Sequence, residues 1–474
     1  MTKRSLILLG AALLLALPAS AANIFVNNVD APGVGFNDAT PVAPVGGNPG
    51  TTLGQQRLII FQLATSLWGS VLDSNVDIIV QSTFQPLGCS PNAGTLGAAG
   101  PLQVFAFGAA PPGAIPATWY HVALANSLAG FDLAPGPPDP GLFAPPFADD
   151  MVAFFNGAIG VDPNCLTGLD WYYGVDNNAP SGTIDLLNVV MHEFAHGLGF
   201  SEFVDEGTGQ LFFGLPDGYS RNMLDTNLGL TWDQMTDAQR LASQVSDGAL
   251  VWAGAAVTAV APQVLGPRPT VEVLNPGSIA GGYGAQAASF GGALNTTGGT
   301  SGQVVEADDG VGVGTDGCEP LINNVNGKIA LIDRGSCAFS TKVLNAQVAG
   351  AKGVIVVNNV PVGLPSMGGS NAAVTIPSVG VTQADGNTIR AELASKPVVK
   401  LLLDPNFLAG ANDAGQVRLY APNPVAPGSS KSHWDVTATP NLLMEPFNTS
   451  DLKAGSDLDL TPFLFLDIGW NLLP

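Results

Sequence analysis

Two histidines four residues apart carry the clearest chemical signal in the sequence. His192, Glu193 and His196 occur in the order His-Glu-Phe-Ala-His, and the chain has only four histidines. On a helix, positions i and i+4 share one face, so both imidazoles can reach a single metal ion. Zinc acidifies a bound water, and a neighbouring carboxylate can then take its proton. The pattern predicts a zinc site that hydrolyses peptide bonds, with Glu193 as general base and then general acid.

A catalytic zinc ion needs a third protein ligand as well as an open fourth position. The segment from His192 to Gly199 resembles the metzincin motif His-Glu-x-x-His-x-x-Gly-x-x-His, with Gly199 at the turn. The match ends at Glu202, which stands where the motif has its last histidine. Either Glu202 is the third ligand, or the third ligand comes from farther along the chain.

A second segment favours the distant ligand. His433 is followed by Trp434, and Met444 comes eleven residues after His433. This order resembles the leishmanolysin-like branch of the metzincins, in which an insertion separates the active helix from a His-Trp segment and a Met-containing turn. The resemblance implies that His433 is the third ligand and that Met444 forms an apolar floor under the site. The alternative keeps Glu202 or Glu206 as the ligand.

The pair of histidines needs a rigid helix, and residues 185–198 have the periodicity of one. Their apolar residues repeat at helical spacing and form one buried face. Asp185 or Thr183 is suited to cap the start, and Gly197 and Gly199 to end it. A shorter helix is expected from Thr236, because Thr236 and Gln239 form a capping-box pattern.

Other elements follow from the same patterns. A helix is expected over residues 52–72, and a strand over 76–83. The resemblance makes residues 150–157 the edge strand on which an extended substrate pairs. It makes residues 460–470 the last helix of the catalytic domain.

A long stretch between the active helix and His433 has a different texture. Residues 327–339, residues 342–354 and Ile376-Pro377 resemble the protease-associated (PA) domain, and Cys318 is placed as its partner cysteine. The resemblance implies a β-rich insertion without catalytic residues. Because its ends are expected at the rim of the cleft, we hypothesise that it gates or recruits protein substrates.

These segments predict an α+β fold, a metzincin-like zinc catalytic domain split by a PA domain. The predicted parts are a signal peptide over 1–21, the N-terminal part of the catalytic domain with the zinc helix over 22–256, the PA domain over 257–405, and the C-terminal part with the third ligand and the Met-turn over 406–474.

The N-terminus and the overall charge indicate an exported protein. Lys3 and Arg4 precede an apolar run over residues 6–17, and small residues end at Ala21. This is the pattern of a secretory signal peptide cut near Ala21, which predicts an extracellular or periplasmic protein. No later stretch is long and apolar enough for a transmembrane helix. The net charge of −22, from 16 basic and 38 acidic residues, disfavours nucleic acid as a partner.

Export permits disulfide bonds. The spacing favours a local pair of Cys318 with Cys337, which leaves Cys89 with Cys165. The absence of a Cys-x-x-Cys pair argues against a zinc site built from cysteines. Asp308, Asp309 and Asp316 offer carboxylates that calcium could use, but no pattern supports a calcium site, because such loops are usually plain turns. His121 reads as a structural histidine.

The sequence therefore predicts a secreted zinc metalloendopeptidase that acts on extracellular proteins or peptides through one zinc ion. The alternative is a secreted, non-catalytic binding or surface protein on a decayed protease fold. The intact Glu193 argues against decay, because a binding protein has no need of the general base.

Overall fold

The computed structural model describes residues 20–449 and 451–474. Residues 1–19 of the predicted signal peptide therefore lie outside the described residues. Within the described ranges, no helix is both long enough and apolar enough to cross a membrane.

The first part of the chain alternates short strands with helices. Its elements are, in chain order, β1 (Ile24–Asn28), α1 (Leu53–Gly69), β2 (Leu72–Asp73), β3 (Ile78–Gln85), β4 (Gly97–Pro101), β5 (Val104–Ala106), β6 (Trp119–His121), α2 (Val122–Ala129), β7 (Met151–Asn156), β8 (Asp170–Tyr172), β9 (Thr183–Asp185), α3 (Leu186–Leu198), β10 (Met223–Asp225), β11 (Leu230–Thr231), α4 (Asp237–Ser243), β12 (Leu250–Trp252) and α5 (Ala255–Val264).

The second part builds one large sheet, and the chain then ends on a helix and a short strand. These elements are β13 (Pro267–Asn275), β14 (Gly281–Gly284), β15 (Gln286–Ala287), β16 (Thr300–Glu306), β17 (Ile329–Asp333), α6 (Phe339–Val348), β18 (Gly353–Val357), β19 (Ser378–Val381), α7 (Gln383–Ala391), β20 (Val398–Leu408), α8 (Thr461–Ile468) and β21 (Asn471–Leu472).

A four-stranded sheet and two helices form the base of the first part. The strand order is β1-β3-β7-β4, with β1, β3 and β7 parallel and β4 antiparallel to β7. α1 begins after Thr52, whose side chain accepts a hydrogen bond from the Gln55 amide. Phe61 of α1 packs against Phe155 of β7 and Phe194 of α3, with ring centroids 4.8 and 5.7 Å apart. The sheet, α1 and α3 therefore share one core.

The prediction that residues 150–157 form the edge strand of the sheet is wrong. Residues 150–157 contain β7, but β7 lies inside the sheet between β3 and β4, and five of its six residues are buried. A strand buried on both faces reads as a continuous apolar run, as β7 does. The edge is β4, whose sequence Gly-Ala-Ala-Gly-Pro has little strand propensity and gave no signal.

The second part is an eight-stranded sheet in the order β14-β13-β20-β16-β17-β18-β19-β15. β17, α6, β18 and β19 occupy the stretch whose sequence resembles the PA domain, and they agree with the β-rich insertion that the resemblance implies. Pro267 of β13 pairs with Leu408 of β20, and the Ala409 amide donates to the Gly266 carbonyl at 2.9 Å. The sheet thus leaves and re-enters the rest of the molecule at neighbouring points.

The end of the chain returns to the first core. β21 pairs with β2, and the Trp470 indole N–H donates to the Leu198 carbonyl at the end of α3 at 2.9 Å. Trp434, Met444 and α8 residues belong to the same buried cluster as α1 and α3. Residues far apart in sequence therefore form one body around α3, which we call the α3 body: residues 20–266, 409–449 and 451–474.

Both predicted disulfides are present, Cys89–Cys165 and Cys318–Cys337. The first closes a loop of 76 residues in the α3 body, and such a loop stabilises the fold by about 4 kcal/mol through the entropy of the unfolded chain. We expect a Cys89→Ala/Cys165→Ala variant to lose about that much free energy of unfolding. Tryptophan fluorescence during denaturation measures the loss.

A matched control uses the second disulfide. All seven tryptophans lie outside residues 267–408, so their fluorescence follows the α3 body alone. A Cys318→Ala/Cys337→Ala variant should leave that transition in place. An unchanged transition in the Cys89/Cys165 variant would contradict the assigned role of the first disulfide.

Candidate active site

Helix α3 is fixed at both ends. Of the two predicted caps, Asp185 is the one used, and its carboxylate accepts the Leu187 amide at 3.0 Å. Gly199 ends the helix at φ +138°, and a Cβ there would lie 2.5 Å from the side chain of Ile468. Both the backbone angle and the close approach of α8 therefore require glycine at this position.

The structure brings three of the four histidines together. The Nε2 atoms of His192 and His196 are 3.1 Å apart, those of His192 and His433 are 3.1 Å apart, and those of His196 and His433 are 3.3 Å apart. His433 follows His196 by 237 residues, so only the tertiary fold places it there. Among the described residues, these three form one of two groups with metal-ligand spacing.

A backbone carbonyl orients each ring. The Nδ1 atoms of His192, His196 and His433 each lie 2.7 Å from a carbonyl oxygen, that of Leu443, Phe200 and Ser429 respectively. A carbonyl only accepts, so Nδ1 carries the proton and Nε2 keeps its lone pair. Burial lowers the pKa of His192 to about 4 and that of His196 to about 3, which keeps these rings neutral.

The arrangement fits a zinc ion. Three lone pairs that face one another without a donor repel, so the cluster calls for a cation between them. Zn–N bonds of about 2.05 Å at tetrahedral angles place the nitrogens about 3.3 Å apart. The observed separations of 3.1–3.3 Å agree with that value. His192, His196 and His433 would hold the ion.

Glu193 lies beside the histidines on the same cleft. Its side chain faces β4, where a Cβ on Gly97 would come within 2.8 Å of Glu193 Oε1. Glycine at this position gives the carboxylate its room. Burial raises the pKa of Glu193 to about 8, and a bound cation nearby would oppose that shift.

The three histidines and Glu193 line a cleft of about 980 Å³. One side is formed by the first three residues of β4 and the loop before it, which includes Cys89, and another by residues 427–429, 432–433, 443 and 445–448. Within the described part of the chain, no residue between 202 and 426 lines this cleft. The expectation that both ends of the insertion lie at the rim of the cleft is therefore not borne out, because the insertion leaves the chain well after the cleft-lining end of α3 and rejoins it well before His433.

Met444 lies in a turn that braces two of the histidines. Met444 is fully buried, and its carbonyl accepts the Trp434 amide at 2.8 Å. The preceding residue, Leu443, holds His192 through its carbonyl and donates its amide to Asp459. Backbone hydrogen bonds therefore connect this turn to His192 and to the residue after His433, and the apolar floor expected from Met444 stays a prediction.

Glu202 does not join the histidines. Its carboxylate forms a buried ion pair with Lys431 at 3.1 Å, and Glu206 lies 3.8 Å from the same ammonium group. The pair joins the segment after α3 to the segment that carries His433. Glu202 therefore has a partner other than the metal.

Replacing Glu202 separates the two roles considered for it. We expect Glu202→Gln to keep its zinc but to lose about 3 kcal/mol of stability, because Lys431 keeps a buried charge with a weaker partner. Denaturation and metal analysis of the same sample measure both. Glu206→Gln, at the partly exposed end of the network, is the control and should change stability little. Loss of zinc from Glu202→Gln would return Glu202 to the ligand set.

The remaining sequence candidates lie outside the triad. The His121 ring nitrogen is 2.7 Å from Ser201 Oγ, consistent with a structural histidine. Asp309 and Asp316 group with Glu319, but Asp308 does not. The buried Lys342 ammonium donates to the Asp316 carbonyl at 2.5 Å, so this group already has a cation beside it.

Sequence reasoning missed several groups that shape the site. The carbonyls of Phe200, Ser429 and Leu443 orient the histidines, but a backbone group leaves no mark on residue type. Gly97 was missed because an isolated glycine usually indicates a turn. Lys431 offered a signal, as one of only 16 basic residues and two positions before His433.

Comparison with known proteins matches part of the chain. Residues 300–389 match the family described as the PA domain. A probable leucine aminopeptidase 2 from Arthroderma benhamiae is 40% identical over 75 residues, which are 16% of this chain and 15% of that protein. A receptor homology region, transmembrane domain- and RING domain-containing protein 2 from Arabidopsis thaliana is 36% identical over 99 residues, 19% and 22% of the two chains. This chain spans less than a quarter of either relative.

Solved structures give a similarly partial likeness. An aminopeptidase from Aneurinibacillus is 26% identical, covers 30% of this chain and 31% of its own, and has a TM-score of 0.23. A zinc aminopeptidase from Bacillus subtilis is 25% identical, covers 31% and 35%, and has a TM-score of 0.22. TM-scores this low carry no argument about the fold. The family match over residues 300–389 therefore shows that the chain contains a PA domain.

Proposed function

We propose that the chain is a secreted zinc metalloendopeptidase with a metzincin-like catalytic domain. The observation that carries the proposal is the convergence of the three histidine Nε2 atoms within 3.1–3.3 Å of one another, with Glu193 on the same cleft. Peptidases among the partial relatives agree with this class. The two disulfides support an exported protein, since they persist in oxidising compartments.

Each residue of the site has a defined task. Zinc, when bound, supplies a Lewis acid that polarises a carbonyl and acidifies water. The carboxylate of Glu193 accepts a proton from the water that attacks the peptide carbonyl, and it then gives this proton to the departing amine. The Phe200, Ser429 and Leu443 carbonyls keep Nδ1 protonated, so that Nε2 of each histidine stays available as a ligand.

The edge strand β4 supports cleavage within a chain. Ala98 and Ala99 line the cleft, and β4 has a neighbour, β7, on one side only. An extended substrate can add to the free side by main-chain hydrogen bonds. Small side chains let that substrate come close. Such pairing holds residues on both sides of the scissile bond, as an endopeptidase requires.

The order of elements supports the leishmanolysin-like branch in particular. The zinc helix, a PA-containing insertion, a His-Trp segment and a buried methionine turn follow one another, and the last two meet α3 in one core. His433 would be the third ligand, and Met444 would support the site.

A peptide blocked at its N-terminus tests the function. We expect the purified chain to cleave an internally quenched, N-acetylated peptide, to lose this activity with a zinc chelator and to regain it with zinc. Cleavage confined to free N-termini would instead indicate an aminopeptidase. Bound zinc without cleavage of any peptide or protein would favour the binding-protein alternative.

The PA-containing insertion is proposed to recruit protein substrates. The sequence predicts the insertion over residues 257–405, whereas the strands of the large sheet run over residues 267–408. The first and last residues of that range pair with each other. Replacing residues 267–408 by a short glycine linker should therefore leave a closed α3 body. We expect several-fold slower cleavage of casein with nearly unchanged kcat/KM for a short peptide. An equal loss on both substrates would indicate a structural role only.

A further inference from the structure

We propose that a partly exposed group of aromatic side chains beside the cleft binds apolar residues of the substrate on the N-terminal side of the scissile bond. The group consists of Trp119, Phe203, Phe212 and Phe213 and is called here the aromatic platform. The inference rests on the proposed function, since it concerns the substrate of the same cleft.

The other three rings of the platform all lie against the ring of Phe212. Phe212 lies 5.6 Å from Trp119, 6.3 Å from Phe203 and 4.6 Å from Phe213, measured between ring centroids. Phe213 also lies 6.4 Å from Trp119. The side chains thus form one continuous apolar surface drawn from β6 and from the loop after α3.

The platform is presented to solvent at a cost in backbone strain. Phe213 is 82% exposed, and it holds φ +45° and ψ +32°, a left-handed conformation that a bulky residue rarely adopts. Phe212 is 39% exposed. Strain of this kind persists where the surroundings enforce it, and it is concentrated at functional sites.

The loop that carries the platform is firmly held. The buried carboxylate of Asp217 accepts the Phe203 amide at 3.1 Å and the Ser220 amide at 2.6 Å. Backbone bonds tie Trp119 to Pro216 at 2.9 Å and to Gly218 at 3.0 Å. A surface fixed before binding loses little entropy when a ligand arrives.

The platform lies next to the cleft, on the far side of the buried His121. Ser201 lines the cleft and is hydrogen-bonded to His121, whose ring lies 4.7 Å from that of Phe203. Trp119 and His121 are two residues apart on β6 and therefore share one face of the strand. A chain that leaves the cleft at the Ser201 end meets the platform next.

The direction of β4 decides which part of the substrate reaches it. β4 begins at Gly97 beside Glu193 and ends at Pro101, which pairs with Met151 near Gly197. β4 thus runs parallel to the course of α3, toward the platform, and continues into β5, which pairs with β6. A substrate antiparallel to β4 runs from the platform toward Glu193. Its residues at the platform therefore precede the scissile bond.

The chemistry of the platform selects an apolar peptide segment. None of its side chains is charged, and three of the four are phenylalanines. The only polar group, the Trp119 indole N–H, already donates to the Phe212 carbonyl at 2.8 Å. A sugar would need free donors and acceptors for its hydroxyls, which these side chains do not supply. Phenylalanine and leucine side chains need only apolar contact area.

Binding to an inactive chain tests the platform without requiring turnover. In a Glu193→Gln background, the Kd of three labelled peptides with one common core is measured by fluorescence anisotropy. The first peptide carries Phe-Leu-Phe-Leu at the N-terminal end of the core. The second carries Ser-Gly-Ser-Gly at that end, and the third carries Phe-Leu-Phe-Leu at the C-terminal end. We expect Phe213→Gly to raise the Kd of the first peptide about tenfold and to leave the other two unchanged.

Two variants guard the interpretation. Glycine adopts φ +45° without strain, so Phe213→Gly removes the ring while the loop keeps its conformation. A Phe213→Trp variant, which keeps an aromatic ring at this position, should bind the first peptide about as tightly as the chain with Phe213 does. Phe25→Ala removes an exposed aromatic from β1, the opposite edge of the sheet, and should change nothing. Unchanged binding of the first peptide, an equal loss for the C-terminal extension, or a Phe213-dependent affinity for a neutral oligosaccharide in place of the peptide would each overturn the proposal. A failure to hydrolyse peptides in the parent chain would overturn the proposed function but not this binding result.

Discussion

Replacing Glu193 by glutamine is expected to lower kcat by about 10³-fold while the chain keeps its zinc. General acid–base catalysis contributes roughly 10² to 10⁴ in rate, and an amide cannot accept the proton. Glutamine fills the same space against Gly97, so the histidines should not move. Steady-state cleavage of the quenched peptide, with metal analysis of the same sample, measures the effect.

The matched control for this variant is Glu206→Gln. It makes the same chemical change on a half-exposed side chain that does not line the cleft, and its kcat should stay near that of the parent. If the kcat of Glu193→Gln stays within about threefold of the parent value, Glu193 is not the general base of the proposed mechanism.

Replacing His433 by alanine is expected to release the zinc and abolish cleavage. Loss of even an outer hydrogen-bond partner of a ligand costs about 10- to 100-fold in metal affinity, so loss of the ligand itself should cost more than about 100-fold. Competition with a zinc-binding dye measures the affinity. His121→Asn is the control, since His121 is a buried histidine bonded to Ser201 and outside the triad. Full zinc affinity in His433→Ala would contradict the assignment of His433.

Local sequence signals were enough to predict the active helix. The apolar spacing of residues 185–198, the Asp185 cap and the glycine end all appear in α3 as expected. The capping box of Thr236 and Gln239 likewise opens α4. These features depend on hydrogen bonds within a few residues, and such short-range bonds depend on residue type at fixed spacing.

The sheet edge and the ring anchors could not be predicted in the same way. β4 consists of residues with weak strand propensity and is fixed by its pairing with β7. The carbonyls that orient the histidines come from Phe200, Ser429 and Leu443, and any residue type has a carbonyl. Tertiary packing, not local pattern, decides both.

The choice between Glu202 and His433 shows the same limit. Spacing along the helix left Glu202 open, and only resemblance to a family favoured a histidine 237 residues beyond His196. In the structure, Lys431 pairs with Glu202 and lies two residues before His433, so a single segment brings the counter-ion for Glu202 and the third imidazole. Local spacing could not reveal that juxtaposition.

X-ray absorption at the zinc edge of the purified chain, with zinc counted per chain, tests the three-histidine zinc site. We expect one zinc ion per chain, bound by three imidazole nitrogens at about 2.0 Å and by one oxygen or nitrogen atom at the open position. A chain that binds no zinc, or a spectrum with two imidazoles and a carboxylate, would contradict the three-histidine site on which the proposed function rests.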